Sequence, residues 1–126
     1  MDTQQQQQQQ SVSNDADKKK KIPRYDWYET DQFIVIGVMI KQIDKTKVHV
    51  EFQTKRLVFN YYEQQTENDN QNIHYELILD LNGEIKPSES NWKVTSVKAE
   101  IKLRKVANYR WEKLEVLFVI LVINKF

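Results

Sequence analysis

Ser96-Val97-Lys98-Ala99-Glu100-Ile101-Lys102-Leu103-Arg104-Lys105 alternates small or apolar residues with charged ones, and Trp111 follows after a short spacer. A period of two marks one β-strand half buried in a sheet, with its apolar parity on a core and its polar parity in solvent. The polar parity presents Lys98, Glu100 and Lys102 in a row. That is a surface suited to binding a partner rather than to catalysis.

Working back toward the N-terminus, the same pattern recurs at roughly ten-residue intervals. Trp92 and Val94 begin one strand. Tyr75, Leu77, Leu79 and Leu81 alternate with His74, Glu76, Ile78 and Asp80 in another, and Asn82-Gly83 with Pro87 supplies turn residues after it. Val48, Val50 and Phe52 face Leu57, Phe59 and Tyr61 across Gln53-Thr54-Lys55, the pattern of a hairpin. Phe33 to Ile40 is apolar on both parities apart from Gly37, and its length and β-branched content make it a strand rather than a helix. If Ile34, Ile36, Val38 and Ile40 face inward, then Phe33, Val35, Gly37 and Met39 form a second apolar face, open to a partner or covered by the opening strand. That opening strand, Tyr25-Asp26-Trp27-Tyr28-Glu29, follows Ile22-Pro23. Trp27, Trp92 and Trp111 are expected to plug the core, while Tyr28, on the opposite parity from Trp27, points away from it. No apolar period of 3.6 stands between Ile22 and Trp111. The expected fold is all-β, a seven-stranded antiparallel β-sandwich, because half-buried strands must pair their apolar faces.

Composition bounds the rest. A chain of 126 residues holds one small domain, and its 19 basic and 18 acidic residues nearly cancel, which argues against a dedicated nucleic-acid binder. The absence of cysteine excludes disulfides and thiolate chemistry and, with no signal peptide, points to the cytoplasm, with the nucleus as a second compartment. Residues 1–21, with Gln4 to Gln10 and Lys18-Lys19-Lys20-Lys21, offer almost no apolar surface and are expected to be a disordered tail. Glu63 to Gln71 reads as a polar loop. His49 and His74 lie far apart with no ligand-like spacing, so each is expected to be a solvent-facing strand residue and no metal site is expected. With only Gly37 and Gly83, no phosphate-cradling loop is available, and no carboxylate or serine stands in a catalytic motif. No catalytic residue and no cofactor is expected.

Tyr25-Asp26-Trp27-Tyr28-Glu29-Thr30, the apolar strand ending in Ile40-Lys41, Leu81-Asn82-Gly83-Glu84-Ile85-Lys86-Pro87, Val97-Lys98-Ala99-Glu100-Ile101 and Arg110-Trp111-Glu112-Lys113-Leu114-Glu115 together resemble a CS domain over residues 22–115. The CS domain is the module of CHORD-containing and Sgt-type proteins, related to small co-chaperones and small heat-shock proteins. The resemblance implies a non-enzymatic co-chaperone or adaptor that docks on heat-shock protein 90 and contacts client or adaptor proteins. In Sgt-type members one sheet face makes that contact, and its residues carry onto Tyr28, Met39, Val97, Lys98 and Glu100. Tyr28, Lys98 and Glu100 match in type, with Tyr28 expected as neighbour to the other two. Met39 replaces an aromatic residue and Val97 a threonine. Two other readings stand beside this one: a holdase-like or nuclear-distribution-type chaperone that binds clients directly, and a detached module of a larger redox enzyme.

Residues 116–126 lie beyond the resemblance. Val116 to Ile123 is a solid apolar run, too short for the roughly twenty residues of a membrane span. An added buried strand, an anchor to another protein and read-through of untranslated sequence are its three readings. The last two are preferred, since an uncovered β-prone run is an aggregation liability.

Overall fold

The structure, a computed structural model, describes residues 18–64 and 72–116. The glutamine tract, most of the polar loop and the apolar run after Val116 lie outside the described residues. The alternating segments become β1 (Lys18–Lys21), β2 (Tyr25–Glu29), β3 (Phe33–Val38), β4 (Val48–Gln53), β5 (Arg56–Gln64), β6 (Asn72–Asp80), β7 (Asn91–Val94) and β8 (Ala99–Arg104). Two four-stranded sheets form, in the orders β1-β6-β5-β4 and β2-β3-β8-β7. Their inner parities meet as one core: Ile34, Ile36 and Val38 from β3 and Ala99, Ile101 and Leu103 from β8, against Leu57 and Phe59 from β5 and Leu77 and Leu79 from β6. Each large aliphatic or phenyl side chain fully buried here contributes about 1.5–3 kcal/mol. The inward set expected on β3 is therefore the set observed, and Ile40, just past the strand, is buried as well. Among the described residues no helix is long and apolar enough to cross a membrane.

The structure corrects two expectations and closes one alternative that the sequence left open. Lys18–Lys21, assigned to the disordered tail, pairs in parallel with Asn72–Tyr75 and makes an eighth strand. Backbone pairing does not depend on apolar side chains, and Lys20 gains an ion pair to Glu76 at 3.1 Å. The run from Ser96 to Lys105 is not one strand. The Thr95 amide donates to the Lys98 carbonyl at 2.8 Å, and the Thr95 hydroxyl accepts from the amides of Val97 and Lys98 at 3.3 and 3.2 Å. A side chain that satisfies the backbone locally favours a turn over a strand, so Ser96 to Lys98 form a tight turn and the strand starts at Ala99. The opening strand does not cover the second face of β3, because β2 pairs edge to edge with β3 in the same sheet. The three tryptophans pack on the core as expected, Trp111 buried and Trp27 and Trp92 half-buried.

After β8 the chain folds back over one end of the sandwich. Asn82 holds it there, its side-chain amide donating to the carbonyls of Trp111 and Lys113 at 2.9 and 3.1 Å. Gly83 is required beneath the indole, since a Cβ at that position would stand 2.5 Å from Trp111 Nε1. The Trp111 amide donates to Glu29 Oε2 at 2.7 Å, and Lys105 Nζ donates to the same oxygen at 2.7 Å and to the Thr30 carbonyl at 3.1 Å. Burial alone pushes the Glu29 carboxyl up, but the hydrogen bonds and charge of Lys105 and the amide of Trp111 outweigh it, so its pKa lies below the usual value.

Candidate protein-docking face

In antiparallel pairs, residues directly opposite one another project to the same side of the sheet. The register of β2, β3, β8 and β7 therefore builds the outer face in rows. One row runs Tyr28, Val35, Lys102, Asn91, and the next runs Asp26, Gly37, Glu100, Lys93. Tyr28 is 58% exposed, as its parity requires.

The five candidates separate into two groups. Met39 and Val97, 42% and 55% exposed, flank one end of this sheet. There the Met39 amide donates to the Arg24 carbonyl at 2.8 Å, and the Gln42 amide donates to the Ser96 carbonyl at 3.0 Å, tying the loop after β3 to the β7–β8 turn. Lys98 and Glu100 are half-buried beside them. Lys98 lies across Gly37: a Cβ on that glycine would come within 3.3 Å of Lys98 Cδ and 2.8 Å of Asp26 Oδ1. Glu100 pairs with Lys93 at 3.4 Å. Tyr28 stands apart, one row further on with β3 between it and Glu100, so it is not the immediate neighbour expected. Asp26 takes that place.

Asp26 and Lys93 escaped the sequence reading, and Phe33 was read there only as part of an apolar face. A glycine inside a strand signals close approach by another group, and here that group is the pair of charged arms from Asp26 and Lys98. For Lys93 the only available signal was its parity. Phe33, expected on an apolar face, lies under two cations, with Lys102 Nζ 4.5 Å and Arg104 Cζ 5.4 Å from its ring centroid. Such contacts keep long side chains extended over an aromatic face. Four cations (Lys93, Lys98, Lys102, Arg104) against three carboxylates (Asp26, Glu100 and Glu89, which pairs with Arg104 at 3.9 Å) leave this face basic by one charge, on a chain whose net charge is +1.

Elsewhere the chemistry reads as structural. His49 is exposed as expected, but His74 is half-buried and stacked on Tyr62 at 4.4 Å, while His49 meets the same ring edge-on at 5.8 Å. Strand pairing thus brings together two histidines that sequence separation kept apart. They border a cleft of about 460 Å³. No cluster of three or more potential metal ligands occurs among the described residues. Glu29 and Lys105, the buried ion pair, are saturated by backbone partners and hold the fold rather than face a substrate.

A family model described as the CS domain matches residues 23–105. Protein SGT1 homolog from Homo sapiens is 44% identical over 92 residues, covering 73% of this chain and 24% of that protein. The Bos taurus protein of the same name is 41% identical over 92 residues, covering 73% and 25%. The cysteine and histidine-rich domain-containing protein morgana from Drosophila melanogaster is 29% identical over 103 residues, covering 82% of this chain and 28% of that one. The chain thus spans about a quarter of the length of the curated relatives it matches. Heat shock protein 16.0 from Schizosaccharomyces pombe superposes with a TM-score of 0.59 at 13% identity, over 76% of this chain and 97% of that one. The CS-b5R domains of human Ncb5or give 0.59 at 23% identity, over 76% and 26%. Both likenesses are of fold. With the family model spanning most of the described residues, the chain belongs to the CS domain family.

Proposed function

We propose that this chain is a non-enzymatic co-chaperone or adaptor module that docks on heat-shock protein 90 through the outer face of the β2-β3-β8-β7 sheet. One observation carries the reading: Tyr28, Met39, Val97, Lys98 and Glu100, which lie scattered over 73 residues of sequence, project from this one sheet and its adjoining turn. Exposed tyrosine and methionine supply adaptable apolar contact, and the basic excess selects a partner surface of opposite sign. Such an interface is transient, and its association slows as salt screens the charges.

The experiment is a titration of the isolated chaperone with the wild-type chain and with Lys98→Glu. Reversal of one central charge is expected to weaken binding about tenfold while leaving the melting temperature within a degree or two, because the substituted side chain is not part of the core. Equal binding by both proteins would remove this face from the interface. Suppression of client aggregation without heat-shock protein 90, undiminished by the substitution, would favour the holdase reading.

A further inference from the structure

The β1-β6-β5-β4 sheet has an outer face of its own, on the side of the sandwich away from the docking face. Directly opposite residues again project together, so one row runs Lys20, His74, Tyr62 and the next runs Glu76, Asn60, His49. Three of these side chains make one aromatic platform. His74 stacks on Tyr62 with centroids 4.4 Å apart and planes at 12°, and His49 meets the same ring edge-on at 5.8 Å. Tyr62 is 44% exposed and takes no part in the core. No reaction chemistry stands here, but the three rings, with Thr46, Lys47 and Asn72, line the cleft of about 460 Å³. Lysines flank the platform on both sides. β1 runs Lys18–Lys21 along one side, where Lys20 and Lys21 are exposed, and Lys45 and Lys47 precede β4 on the other. The neighbouring carboxylates already have partners: Asp44 accepts from the Thr46 amide and hydroxyl, Glu51 from Gln53, Glu63 from the Tyr75 hydroxyl, and Glu76 pairs with Lys20. Among the described residues, these six lysines against four carboxylates leave the corner basic by two charges.

We propose that this corner binds single-stranded nucleic acid, with bases stacking on the Tyr62, His74 and His49 rings and in the cleft beside them, and phosphates meeting the lysines on either side. Every base has a π-face, so such stacking needs no particular sequence, and a basic border that tracks the backbone completes a single-strand site. Three strand spacings separate β1 from β4, about 14 Å, so one short stretch of chain crossing the platform meets lysines at both ends. An acidic peptide satisfies the lysines but leaves the rings unused. A duplex keeps its bases stacked inside, away from the platform, and a membrane surface has no planar rings to offer it. The near balance of charge over the whole chain keeps long-range attraction small, so the affinity rests on this corner and falls as salt rises. The inference does not rest on the docking reading, which concerns the other sheet.

The test is fluorescence anisotropy of a labelled oligoadenylate, about twelve nucleotides long, titrated with the full chain at low salt. Tyr62→Ala removes the central ring without touching the core and is expected to weaken binding about tenfold, whereas Tyr62→Phe, which keeps the ring, is expected to bind as the wild type does. Lys20→Gln combined with Lys21→Gln is expected to weaken binding and to lower the salt slope by about one. No binding by the wild-type chain, or equal binding by the wild type and Tyr62→Ala, overturns the proposal. An unchanged salt slope in the double lysine variant counts against the phosphate assignment. Inorganic polyphosphate that competes as well as unlabelled oligoadenylate reduces the corner to a charge patch without base stacking and overturns the proposal as well. Tighter binding to the same sequence as a duplex, or to vesicles of phosphatidylserine, overturns it too and assigns the lysines to that partner.

Discussion

Two ion pairs, Glu29 with Lys105 just past β8 and Glu100 with Lys93, involve the same sheet, and they behave as opposites. Glu29 and Lys105 meet at 2.7 Å with 7% and 1% of their side chains exposed; Glu100 and Lys93 meet at 3.4 Å with 26% and 70% exposed. The chemistry is the same, but the surroundings differ. The buried pair carries the Trp111 amide and the Thr30 carbonyl as further partners, which is what a charge removed from water requires. The exposed pair is screened and exchangeable, so its charges remain available to a binding partner. One pair clasps the end of the fold, and the other lies on the face proposed for docking.

Lys105→Met is the most direct way to break that contrast. It leaves the Glu29 carboxylate buried without its cation, and a loss of about 3–5 kcal/mol in denaturant unfolding is expected. A loss below about 1 kcal/mol would show that the clasp is not structural. Acid provides a second approach. The folded Glu29 carboxyl has a pKa below its ordinary value, so it holds its proton less tightly than in the unfolded chain. Its contribution is therefore present above the unfolded value near 4.3 and is lost as pH falls through the lower folded value. Glu29→Gln should flatten the dependence of stability on pH in that window, and an unchanged slope would contradict the assignment. Gly83→Ala tests the third partner of the clasp. The new methyl group meets the Trp111 indole ring and displaces the segment that carries its amide, at a cost of about 1–3 kcal/mol with a shift in tryptophan fluorescence. Glu100→Gln is expected to do least, under about 0.5 kcal/mol by thermal unfolding, and a larger loss would erase the contrast.

Much of the fold was legible because period-two alternation survives without knowledge of neighbours. The inward residues of β3 and the outward Tyr28 follow from parity and the need to bury apolar surface. The boundaries of the decisive run were less legible. Thr95 competes for the backbone of Ser96 to Lys98, a local hydrogen-bonding choice that alternation does not register. β1 was missed because strand pairing can recruit a lysine run whose composition argues for solvent. Of the candidate site, residue types and faces were readable, but adjacency was not. Tyr28 and Glu100 share a face but stand in different rows, while Asp26 reaches over Gly37 toward Lys98.

By itself the sequence determined the class of element, the face each residue presents and the resemblance to a CS domain, since these rest on local spacing and on short motifs. Only the tertiary structure decided which strands are neighbours, and with that every contact between residues distant in sequence. Glu29 finds Lys105 across 76 residues and Trp111 across 82. No local pattern specifies such a meeting, because its free energy arises only when the closed sandwich removes all three groups from water together.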